Sequence, residues 1–170
     1  MTPLPYSSGD HQLAHQFLVE EVGLLDTMQY AAWFELLTDD VVYCMPVRVT
    51  AVKAIDETTV QTMHHFAEDR WSLRKRVDRL LTRHAWTEDP QSRVRHHVTN
   101  VRTFTTDDAD TLAVESALLL FRSRGDRPPD ILSAGRRDRL RRTGAGLRLA
   151  RREIQADEAV LRTQNLAVFL

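Results

Sequence analysis

Histidine is the side chain best able to do chemistry in this sequence, and it comes in tandem: His64-His65 and His96-His97, with His84 between the pairs. Adjacent residues point to opposite faces of a strand and lie about 100° apart on a helix, so a tandem pair rarely closes on one metal. The two-histidine, one-carboxylate arrangement that holds iron has no match in the spacing, and no metal or catalytic residue is expected in this chain. The plain reading of His96 and His97 is one ring turned into a sheet and the other toward a partner. Cys44 sits in an apolar run, where burial raises a thiol's pKa and makes it inert. No Gly-x-Ser-x-Gly elbow occurs, and Gly144-Ala145-Gly146 lacks the third glycine and the following helix of a dinucleotide loop. One acid–base set stays open: Tyr43, His97 and Glu115, enclosed by a curved sheet, would suit a free-standing dehydratase or isomerase. Against it, Leu118, Leu119, Leu120 and Phe121 offer enough bulk to fill such an interior.

Arginine is the other conspicuous side chain. Arg136, Arg137, Arg139, Arg141 and Arg142, joined by Arg148, Arg151 and Arg152, could bind nucleic acid, line a solvated face, or pair with carboxylates of another subunit. Nucleic-acid binders carry an overall basic domain, whereas the formal net charge here is −1, so no nucleic-acid partner is expected. Alternate residues of a strand share a face. Arg137, Arg139 and Arg141 therefore form one ridge, while Arg136, Asp138 and Arg142 look the other way with Leu140 among them. Arginine's planar fork pairs bidentately with carboxylates, which favours an ionic subunit interface over a solvated face.

The elements that would position these groups follow from periodicity. Residues 1–9 read as a flexible arm, after which Asp10 can cap a helix. Ala14, Phe17, Leu18, Val22 and Leu25 recur at helical spacing with Glu20 and Glu21 on the other side. A short second helix follows Asp26-Thr27, with Tyr30, Trp33, Phe34 and Leu37 on one face, and ends at Thr38-Asp39-Asp40. Residues 41–49 then read as a strand in which Pro46 requires an edge or a bulge. The signal fades over residues 51–68, where a long excursion is expected. Leu73, Val77, Leu80 and Leu81 give the buried side of a third helix. Residues 93–105, 111–124, 131–143 and 147–156 read as four long strands, with turns at Asp107-Asp108, at residues 125–129 and at residues 144–146. Consecutive strands with short connections make antiparallel meanders. The last residues, 165–170, are nearly all apolar and call for an anchor, either in the core or in a subunit contact. The contact is the favoured reading, so that removing them should weaken assembly more than the fold.

These elements make an α+β fold: one domain over residues 1–170, with helices packed in a curved antiparallel sheet. At 170 residues, 42% hydrophobic and 28% charged, the chain is in the soluble globular class and buries about 70% of its unfolded surface. The single cysteine excludes an internal disulfide. Met1-Thr2-Pro3-Leu4-Pro5-Tyr6 has neither the basic start nor the apolar stretch of a secretory signal, and no window reaches the roughly 18 apolar residues of a membrane span. A cytoplasmic location and no membrane partner are the expectations.

Several ordered stretches carry a resemblance. Leu24-Leu25-Asp26, Tyr30-Ala31-Ala32-Trp33, Leu36-Leu37-Thr38-Asp39-Asp40 and Tyr43-Cys44-Met45-Pro46-Val47-Arg48 follow one another. Trp86, Glu88-Asp89, Pro90, Ser92-Arg93-Val94-Arg95 and His96-x-Val-Thr-Asn come after them, and the chain closes on Val168-Phe169-Leu170. In this order they resemble the small (β) subunits of bacterial aromatic-ring-hydroxylating (Rieske non-haem iron) dioxygenases, over about residues 11–170. Cys44 and Gln91 depart from the family's usual residues, as does the arginine-rich strand at 131–143. The resemblance implies a nuclear-transport-factor-like cone and a non-catalytic subunit that supports assembly, three β with three catalytic α subunits. The Rieske iron-sulfur cluster and mononuclear Fe(II) would belong to the α partner, and no cofactor to this chain, which lacks the Cys and His pairs of a Rieske centre. The complex would cis-dihydroxylate an aromatic hydrocarbon, with naphthalene-type compounds the nearest guess, using dioxygen and NADH-derived electrons passed by reductase and ferredoxin. The interface candidates are Trp86, Glu88, Asp89, Arg93, Arg95, His97, Arg137, Arg139, Arg141, Phe169 and Leu170.

Overall fold

The first helix, α1 (Gly9–Asp26), begins one step before the expected cap. Ser8, not Asp10, is the N-cap, its hydroxyl accepting from the His11 N–H at 3.1 Å. Asp10 falls in the first turn, where a negative charge suits the helix dipole. The computed structural model that shows this describes residues 1–48, 59–82, 92–161 and 168–170. Ala14, Phe17, Leu18, Val22 and Leu25 are buried as their spacing predicts, but so is Glu21, which was placed on the opposite side. It sits three residues after Leu18 and four before Leu25, squarely on the apolar stripe.

Helix α2 (Tyr30–Phe34) buries Trp33 and Phe34 and stops earlier than predicted. Leu37, expected on its face, instead opens strand β2 (Leu37–Arg48), which takes in Thr38, Asp39 and Asp40. Helix α3 (Arg70–Leu81) starts at a capping box in which Asp69 and Ser72 bond each other's backbone N–H. It buries Leu73 and Val77, while Leu81, at its end, is exposed.

Strand β3 (Thr59–Glu68) lies inside the stretch read as an excursion. Its sequence is largely polar because it is the outermost strand, hydrogen-bonded only to β2, so it never needed the apolar alternation that reveals a strand. Register shifts flank Pro46, the bulge its missing N–H requires. The four long strands fall where predicted to within a residue: β4 (Arg93–Thr105), β5 (Thr111–Ser123), β6 (Asp130–Thr143) and β7 (Gly146–Ala156). Asn100 has φ 53 at the irregularity between Thr99 and Arg102, a left-handed position that asparagine tolerates.

The N-terminal arm is tied down, contrary to expectation. Thr2–Pro3 form a two-residue strand, β1, opposite Thr105 and Phe104, and the Leu4 N–H donates to the Thr103 carbonyl at 2.8 Å. The sheet order is β1-β4-β5-β6-β7-β2-β3. All neighbours are antiparallel except β2 and β7, which run parallel. That pairing corrects the all-antiparallel reading: β2 and β7 are far apart in sequence, so no hairpin dictates their direction. The sheet curves around the helices without closing, and the core between them is built on Trp33, Phe17, Leu18, Tyr43, Leu118, Leu140 and Leu149. Among the described residues no helix is long and apolar enough to cross a membrane.

Candidate functional site

Tyr43, His97 and Glu115 do not meet. Tyr43 is fully buried, His97 is exposed on the outer sheet face, and Glu115 is partly buried on that same outer face, bonded to Arg102 at 2.5 Å. The interior acid–base set is thereby corrected; strand parity sends His97 outward and its neighbour inward. His96 is the buried histidine. Its Nδ1 lies 2.6 Å from an Asp26 carboxylate oxygen that also accepts the His96 backbone N–H at 3.0 Å, and its Nε2 lies 2.9 Å from the Phe169 carbonyl.

What occupies the cone is a buried ionic network. Arg152, on β7, donates to both oxygens of Glu21 on α1 (2.7 and 2.8 Å) and to both oxygens of Asp138 on β6 (2.9 and 2.7 Å). The indole N–H of Trp33 donates to Glu21 at 3.2 Å. Arg136, next to it on β6, donates through Nε to the Ser116 hydroxyl and stands 3.9 Å from Glu21. Its two terminal nitrogens have no hydrogen-bond partner. The same Arg136 and Asp138 were placed on the face of Leu140 by alternation, and that parity was the available signal for the network. Glu21, placed on the opposite side of α1, was missed; its spacing from Leu18 and Leu25 was the signal that could have found it.

The electrostatics are those of a locked cluster. Burial alone would raise the Glu21 pKa, but the charge and hydrogen bonds of Arg152, with Arg136 and Trp33, hold it below the ordinary glutamate value. Burial pushes Arg152 down, and Asp138 and Glu21 more than reverse this, leaving its pKa well above normal. Arg136 is lowered by its burial and by the charge of Arg152, which Asp138 and Glu21 offset only in part. Burial also raises the Tyr43 hydroxyl and the Cys44 thiol, as expected of an inert cysteine.

The chain's own tail closes this interior. Phe169 stacks on Trp33 at 4.1 Å between ring centres and is buried, as is Leu170. The Tyr43 hydroxyl donates to the Leu170 carbonyl at 2.5 Å and accepts the Leu170 N–H at 2.8 Å; Arg152 donates to the same carbonyl at 3.2 Å. Phe169 and Leu170, named as interface candidates, are core residues instead. The reason is that Trp33, Tyr43, His96 and Arg152 satisfy both the ring and the backbone of the tail inside the cone. Residues 165–167 lie outside the described residues.

Of the remaining interface candidates, Trp86, Glu88 and Asp89 lie outside the described residues. Arg93, Arg95 and His97 line the outer face of β4, exposed, with Arg95 3.6 Å from Asp26. Arg137, Arg139 and Arg141 do share one outward ridge on β6. They are engaged within the chain: Arg137 lies 3.8 Å from Glu153, Arg139 lies 3.6 Å from the Met1 sulfur, and Arg141 grips both oxygens of Asp40 at 2.8 and 3.0 Å. The hydrogen bonds from Arg141 pull the Asp40 pKa down to about 2. Beside this ridge, Ala117 and Gly135 leave an open hollow of about 610 Å³, bordered by Arg102, Glu115, Arg137 and Glu153. Among the described residues no three His, Cys, Asp or Glu side chains converge as metal ligands.

Comparison with known proteins agrees with this architecture. Residues 20–163 match the family model described as ring hydroxylating beta subunit. The biphenyl 2,3-dioxygenase subunit beta of Rhodococcus jostii is 32% identical, covering 98% of this chain and 92% of that protein. The 3-phenylpropionate/cinnamic acid dioxygenase subunit beta of Photorhabdus laumondii is 37% identical over 93% of this chain and 90% of its own length. Among solved structures, a naphthalene 1,2-dioxygenase with indole bound in its active site superposes with a TM-score of 0.82 at 30% identity, covering 94% of this chain and 84% of the matched one. These neighbours share the nuclear-transport-factor-like α+β cone.

Proposed function

Because the chain belongs to the ring-hydroxylating β-subunit family, we propose that it is the non-catalytic, structural subunit of an aromatic-ring-hydroxylating dioxygenase. A subunit of such an oxygenase implies a catalytic α partner. The observation that carries the non-catalytic role is the spent interior. Tyr43, His96, Glu21, Asp138 and Arg152 all direct their hydrogen bonds to other groups of this chain, and Phe169 fills the space beside Trp33. A general base must come within hydrogen-bond reach of a substrate proton, and these groups are buried and turned onto one another. The network holds charge in place and fixes the cone.

In this reading the chain works in the cytoplasm, three copies assembling with three α subunits. The Rieske cluster and the mononuclear iron belong to the α partner: a Rieske centre takes a pair of cysteines with a pair of histidines, and this chain has one cysteine. Ferredoxin and reductase components pass electrons from NADH to the complex, which cis-dihydroxylates an aromatic hydrocarbon of the naphthalene, biphenyl or benzene kind. Neither nucleic acid nor membrane is a partner. The test is co-expression with the catalytic subunit, mass measurement of the intact complex, and assay of each part. The isolated chain should show no oxygenase activity and no stoichiometric iron, and should co-purify with α in equal number. Tightly bound iron or turnover by the isolated chain would overturn the proposal.

A further inference from the structure

The cone's outer surface divides into two unlike regions. Toward the β4–β5 turn, the outward carboxylates of β4 to β7, Glu115 and Glu153, are already met by Arg102 and Arg137. Toward the opposite end, Leu119, Phe121 and Ile131 are 44%, 38% and 55% exposed. Cross-strand register gathers them: Phe121 is opposite Ile131 on one side and Arg95 on the other, and Leu119 is opposite His97. Their strand neighbours Leu118, Leu120 and Leu132 point into the core, so these three are not core residues that failed to bury. A contiguous apolar patch rimmed by polar groups marks an interaction surface.

We infer that this end of the outer face, Leu119, Phe121 and Ile131 with Arg93 and Arg95 at the rim, docks an apolar-centred, carboxylate-bearing surface of the catalytic α subunit. The inference rests on the assembly reading above and names the contact. Charge selects the partner. Among the described residues Arg93 makes no ion pair, and Arg95 faces Asp26 only at 3.6 Å with its side chain 68% exposed. Among the described residues the outward carboxylates of β4 to β7 are engaged elsewhere, Glu115 with Arg102 and Glu153 with Arg137. A second copy laid face to face would set arginines against arginines, and like charges juxtaposed in an interface are costly. Carboxylates across the contact would instead gain bidentate partners, while the apolar centre supplies the desolvated core that interfaces need.

The test compares three forms of the chain, each with the purified α subunit: wild type, Leu119→Glu/Ile131→Glu, and Arg93→Ala/Arg95→Ala. Binding is read by titration calorimetry and native mass, with the melting temperature of each isolated chain as a control. The glutamate pair should weaken α binding by tenfold or more, about what one hot-spot loss produces, without lowering the melting temperature. The alanine pair should weaken binding and flatten its salt dependence. It touches no apolar packing, so it carries the test even if the glutamate pair fails to fold. Wild-type affinity for α in both variants overturns the inference while leaving the assembly reading intact. The same holds if the variants lose only self-association, which would assign the face to a second copy. A wild-type chain that does not bind α at all fails the assembly reading and this inference together.

Discussion

Replacing Arg152 by methionine is the sharpest probe of the cone's interior. Methionine keeps most of the volume, so the loss falls on the charge and the hydrogen bonds. Arg152 donates four bonds to the carboxylates of Glu21 and Asp138 and one to the Leu170 carbonyl, and all three side chains are buried. Without it the remaining cation is Arg136, 3.9 Å from Glu21. Breaking a buried pair by removing one partner costs about 3–5 kcal/mol. For a chain of this length that is a fall in melting temperature of roughly 6–20 °C. The pH dependence gives an independent signature. In the wild type the folded-state pKa of Glu21 lies below its unfolded value of 4.5. The stabilisation it confers is therefore complete above pH 4.5 and is lost as pH falls through the folded value. In Arg152→Met the Glu21 carboxylate loses the partner that outweighed its burial, and burial raises it, so the sign inverts and the variant recovers part of its deficit as pH falls from 7 toward 4. Urea unfolding at several pH values measures both effects. A loss under about 1 kcal/mol at pH 7, or a deficit that does not change with pH, would refute the account of the network.

Phe169→Ala should cost about 3–5 kcal/mol in denaturant unfolding, as expected for a buried aromatic, and should alter the near-ultraviolet dichroism of Trp33, on which it stacks. An unchanged signal would place the tail outside the cone. His96→Ala should lower the melting temperature clearly, because it removes bonds to Asp26 and the Phe169 carbonyl, whereas His97→Ala, on an exposed side chain, should leave it within the error of the scan. Arg141→Ala releases Asp40, whose pKa should return from about 2 toward 3.8 by NMR titration. The pair is well exposed, so solvent screening keeps the stability change below about 1 kcal/mol. Asp40 is depressed, so even that small contribution is present above pH 3.8 and disappears as pH falls toward 2.

The legible parts of the molecule were those whose pattern is carried by near neighbours in the chain. Helices α1 and α3 were readable from one apolar stripe each, and β4 to β7 from alternation bounded by turn residues. Parity along β6 put Arg137, Arg139 and Arg141 outside and Arg136 and Asp138 on the face of Leu140, and the ordered Trp, Tyr, Pro and Asn positions carried the family. Strand β3 was missed because an edge strand needs no apolar alternation, and Leu37 because its position suits a helix face as well as a strand. Local pattern could not choose between His96 and His97, since parity fixes that two neighbours differ but not which face meets the core. Nor could it seat the tail. Val168, Phe169 and Leu170 declare only that they must be buried, and whether by the cone or by a neighbour depended on Trp33, Tyr43 and Arg152 converging there. The parallel pairing of β2 with β7 and the bond between Glu21 and Arg152, 131 positions apart, belong to the tertiary structure alone. A sequence states the preferences of each segment for water or oil, helix or strand; which distant charge a buried carboxylate finds is decided only when the sheet has curved around the helices.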